Sequence, residues 1–153
     1  MTFFLISNIF KILLIFTAFK EMNSITKDAL KGIEGKINED TIEKEVNKIV
    51  NDYNVFNERY EKLVENQNKN KNKEDYDRTK YQEEFKKLFQ ECEIFYEYFY
   101  KQRKRLSDFI NKPTGKVPEI VIKIYNSIAE YALESKTLVE ELGQKAFIDN
   151  ADL

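Results

Sequence analysis

Several residue types on which many catalytic centres depend are missing from this sequence. The 153 residues include no histidine, no tryptophan and only one cysteine. Without histidine the chain cannot build a Ser-His-Asp or Cys-His nucleophile, a histidine-ligated zinc site or a Glu-x-x-His di-iron site. One cysteine can form neither an internal disulfide nor a thiolate cluster. These absences predict a chain that carries no cofactor and no metal ion.

Glycine and proline are scarce, and the charges of the two signs nearly cancel. With four glycines and two prolines, turns are few and the elements between them must be long. The chain carries 25 basic and 27 acidic side chains, so no overall field draws it to a polyanion. It also contains no glycine-rich phosphate loop and no GxSxG or CxxC motif. We therefore expect no nucleic-acid partner.

Carboxylate pairs are the remaining candidates for acid–base catalysis. Glu91 with Glu93 and Glu97 forms one group, Glu130 with Glu134 forms a second, and Glu140 with Glu141 forms a third. Such catalysis needs carboxylates that converge in a pocket with pKa values pushed apart. These residues all lie away from the apolar seams described below, at positions that predict exposure to solvent. We therefore expect no catalytic residues and predict that the protein is not an enzyme.

The first 24 residues form an apolar leader. Residues 12–19 are uninterrupted by any charged side chain. This run has the length of the apolar part of a secretory signal peptide, and the positive charge of Lys11 precedes it. Three interpretations stay open: a cleaved signal peptide, a retained membrane anchor, and a first helix buried in a soluble bundle. An anchor would fall just short of the ~20 residues that span a bilayer. A buried helix would suit the shared helical face of Ser7, Asn8 and Lys11.

From residue 25 onward the periodicity is helical throughout. A weak helix over residues 25–37 contains two glycines and is expected to end or bend near Gly35. Three stronger helices follow, in which apolar residues alternate at spacings of three and four, the heptad pattern of coiled coils. Their predicted core positions are Ile42, Val46, Ile49, Tyr53, Phe56, Tyr60 and Leu63; Tyr81, Phe85, Leu88, Cys92, Phe95, Phe99, Gln102, Leu106 and Phe109; and Val121, Ile124, Ile128, Tyr131, Ser135, Leu138 and Leu142.

Turn signals and polar runs predict where the three strong helices begin and end. The first is expected to begin at Asp40 or Thr41 and to give way to a solvated loop over residues 66–74, which read NQNKNKNKE. The other two are expected over residues 75–111 and 118–143. A turn with a proline near each end separates them, and Gly143 is expected to form a left-handed cap at the end of the last helix.

Short connections make consecutive helices antiparallel. The sequence therefore predicts an all-α fold, an up-and-down antiparallel bundle over residues 25–143 with three long helices, a weaker N-terminal helix and coiled-coil-like packing. A C-terminal tail, residues 144–153, carries an apolar Ala-Phe-Ile run able to fold back onto the bundle. If the leader is removed, one end of the longest helix lacks a cover, so a homo-oligomer is a further possibility.

One segment combines aromatic and basic residues to an unusual degree. Residues 94–105 read IFYEYFYKQRKR, and the aromatic residues cannot all face one core. Either the helix is buried on every side here, or its outer face contacts a protein partner or an anionic membrane surface. The basic run KQRKR could also be a nuclear-import or nucleic-acid patch, which the net acidic body and the lack of another basic stripe disfavour. Gln102 either fixes the packing register or marks the point where the seam reaches solvent. The candidate contact residues are Tyr96, Tyr98, Tyr100, Lys101, Arg103, Lys104 and Arg105.

These observations favour a non-catalytic helical-bundle protein that binds a protein partner or a membrane surface. The leader favours a secreted or membrane-associated location. One alternative is a membrane-active or membrane-shaping protein that uses residues 94–105. Another is an intracellular, cytoplasmic coiled-coil adaptor in which residues 1–19 form a core helix.

Overall fold

The computed structural model of the chain describes residues 28–33, 36–112 and 115–148, and these form an all-α bundle without strands. Its elements are α1 (Ile42–Asn70), α2 (Arg78–Asn111), α3 (Glu119–Gly143) and a five-residue π-helix (Gln144–Ile148) that follows α3 directly. Residues 28–32 are also helical. The predicted all-α helical bundle is confirmed, and the predicted leader, residues 1–24, lies outside the described residues.

The three long helices run up, down and up. Asn70, at the end of α1, donates a hydrogen bond to the hydroxyl of Tyr81 near the start of α2. Gln82, also near the start of α2, donates to the carbonyl of Ala146, which lies beyond the end of α3. Consecutive helices are therefore antiparallel, as their short connections predict, and α1 and α3 are parallel.

The predicted heptad seams form the core. Every seam position is buried except four that are half-buried, Tyr60, Leu63, Phe109 and Tyr131. The centre is aromatic: the ring of Tyr53 meets those of Phe99 and Phe95 edge to face, with centroids 5.2 and 5.5 Å apart. Such pairs contribute about 0.5–1.5 kcal/mol beyond the burial of their area.

The helices do not pack at equal distances. α2 and α3 run closely side by side over much of their length, while the backbone of α1 stands farther from both. Small buried residues meet where α2 and α3 approach, and the thiol of Cys92 lies 3.8 Å from the carbonyl oxygen of Ser135. Large rings, including Tyr53 and Phe56, fill the wider space beside α1.

The first long helix continues beyond its predicted end. Residues 66–70 belong to α1, so the prediction of a loop beginning at residue 66 is wrong. Polar side chains extend the helix: the Asn70 amide donates to the backbone and side-chain oxygens of Asn66 at 2.8 and 2.7 Å, and Lys69 pairs with Glu65 at 3.0 Å. The loop is therefore shorter, and Asp77 caps α2 by accepting from the backbone N–H of Lys80.

The end of the third helix also differs from its prediction. Gly143 does not adopt a left-handed cap, since Gly115 is the one glycine in the described residues with positive φ, at 85°. The chain instead passes through Gly143 into the π-helix. A Cβ atom at Gly143 would lie 3.2 Å from the ring of Phe89, so the missing side chain lets that ring approach closely. Ala146 then becomes fully buried, as a tail folded onto the bundle requires.

The N-terminal segment lies against the far end of α2. Its helical part ends before Ile33, which is 7 % exposed and joins the core. Arg105 donates from Nη2 to the carbonyl oxygen of Lys36 at 2.8 Å. Residues 28–32 are the part of the weaker N-terminal helix that the structure describes, and Gly35, where a bend was expected, lies outside the described residues.

Candidate functional site

Tyr98 is the clearest departure from the predicted contact segment. It is 1 % exposed, so it cannot contact a membrane or partner as predicted. Its ring meets Phe99 edge to face at 5.6 Å, and its hydroxyl accepts a hydrogen bond from the Gln102 amide at 3.2 Å. Burial raises the pKa of Tyr98 to about 12. The residue lies three positions after Phe95 and four before Gln102, so it shares their side of α2.

Arg105 also has an internal role rather than a place on a contact surface. Its guanidinium is half-buried and donates to Gln102 Oε1 at 3.2 Å and to the carbonyl oxygen of Lys36. Gln102 itself is 1 % exposed, which excludes the interpretation that the seam reaches solvent there. Arg105 therefore ties the N-terminal segment to α2.

Five of the seven predicted contact residues remain on the surface of α2. Tyr96 is half-buried and Tyr100 is 46 % exposed, with their ring centroids 6.1 Å apart. The Arg103 guanidinium lies 5.8 Å from the centroid of Tyr100, and Lys101 pairs with Glu97 at 2.9 Å. Lys104 is exposed. These five residues, Tyr96, Tyr100, Lys101, Arg103 and Lys104, form what we call the aromatic-basic surface.

A shallow groove opens between the C-terminal halves of α1 and α3, where sequence reasoning placed no site. It consists of a depression of about 530 Å³ between the two helices and an adjoining one of about 480 Å³ that is lined by α1 alone, and the two share Tyr60 and Glu61. The groove exists because α1 stands away from α3, and side chains rather than close backbones join the two helices. Leu133, on the α3 wall, is 67 % exposed. We call this feature the α1–α3 groove.

Hydrogen bonds fix the acidic side chains of the α1–α3 groove. Glu134 Oε1 accepts from the Tyr53 hydroxyl at 3.3 Å and from the Asn57 amide at 3.4 Å. Glu141 Oε2 accepts from the Tyr60 hydroxyl at 3.5 Å. Burial, reinforced by the negative charge of Glu141, raises the pKa of Tyr60 to about 12, so this hydroxyl keeps its proton at neutral pH.

Glu91 is the second feature that sequence reasoning missed. The expectation that it faces solvent is wrong, because its side chain is 1 % exposed between α1 and α2. Its Oε1 accepts from Arg59 Nη1 at 3.1 Å, whereas Oε2 has no hydrogen-bond partner among the described residues. Burial raises its pKa to about 7 against the opposing pull of Arg59, and the nearby charge of Asp52 adds to the rise.

Asp52 shares this buried region with Glu91. Its Oδ2 is buried and has no hydrogen-bond partner in the described part of the chain. Burial raises the pKa of Asp52, and Lys48 opposes the change. Across residues 28–33, 36–112 and 115–148, no three cysteine or acidic side chains meet in a group suited to a metal ion. Glu91 is fully buried and Asp52 half-buried, and the negative charge of Asp52 acts on Glu91 where α1 meets α2.

Among the helices of the described ranges, none is both long and apolar enough to cross a membrane. When the chain is compared with protein-family models, curated proteins and solved structures, it matches none of them.

Proposed function

We propose that this chain is a non-catalytic helical-bundle protein, secreted or membrane-associated, that acts by binding a protein partner in the α1–α3 groove. The observation that carries the proposal is Leu133, 67 % exposed on the wall of an open groove. Burying the exposed part of a leucine contributes on the order of 1–2 kcal/mol, so a partner that covers Leu133 gains favourable binding free energy. The secreted or membrane-associated location is proposed from the apolar leader.

The shape of the groove favours a helical segment as the bound element. Its α1 wall runs from Asn57 to Lys69, which corresponds to ~18 Å of helix. A partner helix of about three turns matches that length and can place apolar residues at i, i+3, i+4 and i+7. The depth suits such a segment better than a small molecule, since ligand pockets enclose most of their ligand.

The test uses the absence of tryptophan from this chain. A synthetic, uncharged amphipathic helical peptide with one tryptophan on its apolar face is titrated with the full chain. We expect its emission to shift to the blue on binding, and Leu133→Asp to remove the shift. Ile122→Asp is the matched control, because Ile122 is an aliphatic residue of α3 that is 41 % exposed outside the groove. Equal binding by the two variants, or no binding by the unaltered chain, would overturn the proposal.

A membrane contact through the aromatic-basic surface is the second candidate. Tyr100 is 46 % exposed beside Arg103 and Lys104, and tyrosine with basic neighbours suits the boundary of an anionic bilayer. Vesicles of mixed anionic and neutral lipid should sediment the chain at low salt, and Lys104→Glu should weaken this more than Lys62→Glu, an exposed change on α1. Equal effects of the two variants would contradict this candidate.

A further inference from the structure

We infer that the segment bound by the α1–α3 groove is a basic amphipathic helix, an inference that rests on the proposed function and adds the chemistry of the partner. The acidic residues that line the groove are Glu61, Glu65, Glu134 and Glu141, against a single lysine, Lys69. That lysine is already engaged, since its Nζ lies 3.0 Å from Glu65 Oε1. The groove therefore presents an excess of negative charge on both walls.

The negative charge on the α3 wall is held in place. The phenols of Tyr53 and Tyr60 donate to Glu134 and Glu141, which fixes one oxygen of each carboxylate and leaves both side chains exposed. A partner therefore meets oriented carboxylates whose position is set before it binds, which lowers the entropic cost of pairing them with cations.

An apolar strip lines the same groove. Half-buried Val64 and Tyr60 contribute to it from α1, and Leu138 and exposed Leu133 contribute from α3. A helix that buries this strip presents its apolar face inward and its flanks toward the carboxylates. Lysine or arginine on those flanks would be attracted, whereas glutamate would be repelled. The two features together select a helix that is apolar on one face and basic on both sides of it.

The negative charge also decides against other occupants. The basic face that a second copy of this chain would bring is its aromatic-basic surface, but there Lys101 already pairs with Glu97 at 2.9 Å and the Arg103 guanidinium lies over the Tyr100 ring. The leader of this chain is apolar but carries only Lys11 and Lys20 as basic residues, with Glu21 beside them. A free partner helix with several basic residues is complementary to the groove in both apolarity and charge, and the other two occupants become outcomes of the test.

The experiment compares three peptides that share one apolar face and one tryptophan. Their flanks carry lysine, glutamine or glutamate, and each is titrated with the full chain at low salt. We expect the lysine peptide to bind at least about tenfold more tightly than the glutamine peptide, and the advantage to shrink at 0.5 M salt as screening increases. The glutamate peptide should bind most weakly.

Two charge-reversal variants test whether the preference for the lysine peptide arises in the α1–α3 groove. Glu61→Lys should weaken binding of the lysine peptide about tenfold, the order expected when an attractive exposed pair becomes repulsive. Glu93→Lys makes the same change of net charge at an exposed position of α2 outside the groove, and should change the affinity less than twofold. Equal effects of the two reversals would overturn the inference.

The remaining outcomes separate the inference from the function on which it rests. If the glutamine peptide binds as tightly as the lysine peptide and both depend on Leu133, the groove binds helices and the basic partner is wrong. If no peptide binds, the groove is not a site for free helices. Self-association that Leu133→Asp abolishes would assign the groove to a second copy. Peptide binding that strengthens in Leu14→Asp would assign it to the leader of this chain.

Discussion

Replacing Glu91 by glutamine should remove a dependence of stability on pH that is unusual for a carboxylate. The glutamine has nearly the same shape and keeps an oxygen that can accept from Arg59, but it carries no charge. In the folded protein the pKa of Glu91 is about 7, raised by burial from the usual 4.5. The folded state therefore holds the proton of Glu91 more tightly than the unfolded state does.

The sign of the pH dependence follows from that difference. Below pH 4.5 the carboxyl is protonated in both states, and the stability associated with the raised pKa is fully present. As the pH rises toward and through 7, the unfolded state has already ionised and the folded state must follow, so stability falls. The gap between 4.5 and about 7, at ~1.4 kcal/mol for each pH unit, corresponds to about 3 kcal/mol.

Urea unfolding followed by circular dichroism, at intervals from pH 5 to pH 9, measures the effect. The free energy of unfolding of Glu91→Gln minus that of the unaltered chain should increase across this range by most of about 3 kcal/mol. No histidine or cysteine side chain titrates in this pH range, because the chain has no histidine and burial raises the pKa of its one cysteine, Cys92, to about 12. Taking the difference cancels the titrating groups that do not interact with Glu91.

Glu93→Gln provides the control for the loss of one negative charge, because Glu93 is an exposed neighbour on the same helix. A flat difference for Glu91→Gln, within about 0.5 kcal/mol, would refute the reasoning. It would mean that the pairing with Arg59 at 3.1 Å outweighs burial and holds the pKa of Glu91 near its usual value.

Three further predictions concern stability and reactivity. Phe99→Ala should lower the free energy of unfolding by about 3–5 kcal/mol in denaturant titrations, whereas Phe147→Ala, at a residue that is 50 % exposed, should cost less than about 1.5 kcal/mol. The thiol of Cys92 should react with an aromatic disulfide reagent only as fast as the protein unfolds, because it is fully buried with a raised pKa; rapid labelling of the folded chain would contradict its placement. Asp77→Ala should cost ~1 kcal/mol through loss of the α2 cap, and an equal cost for Asp75→Ala would show that the cap is not the cause.

The heptad pattern was sufficient to predict the core because each seam residue had a single strong requirement, removal from water. The pattern underestimated how many positions of α2 are buried. This helix packs against α1 on one side and α3 on the other, so it buries more than its two seam positions in each heptad. Glu84, Glu91, Tyr98 and Arg105 recur at sevens on one flank of the seam, and all are buried or half-buried. A rule that assigns α2 a third buried position in each heptad would have identified these four residues.

The α1–α3 groove could not be read from sequence in the same way. It depends on the distance between two helices that are not consecutive, and that distance results from the sizes of the side chains between them. Leu133 falls outside the heptad seam, so the pattern predicts exposure but not what lies across from it. The π-helix has a similar origin, because the contact between Gly143 and the Phe89 ring joins residues far apart in the chain.

The unequal spacing of the helices also has a consequence during synthesis. α1 leaves the ribosome first, yet the aromatic cluster that receives Tyr53 is completed by residues of both α2 and α3, including Tyr131. At ~5–20 residues per second, the interval between translation of Asn70 and of Gly143 is roughly 4–15 s. The apolar face of α1 has no complete partner during that time, whereas α2 and α3 can pair as soon as α3 emerges. A translational pause just after α1 should therefore prolong the exposure of aggregation-prone surface more than an equal pause after α3.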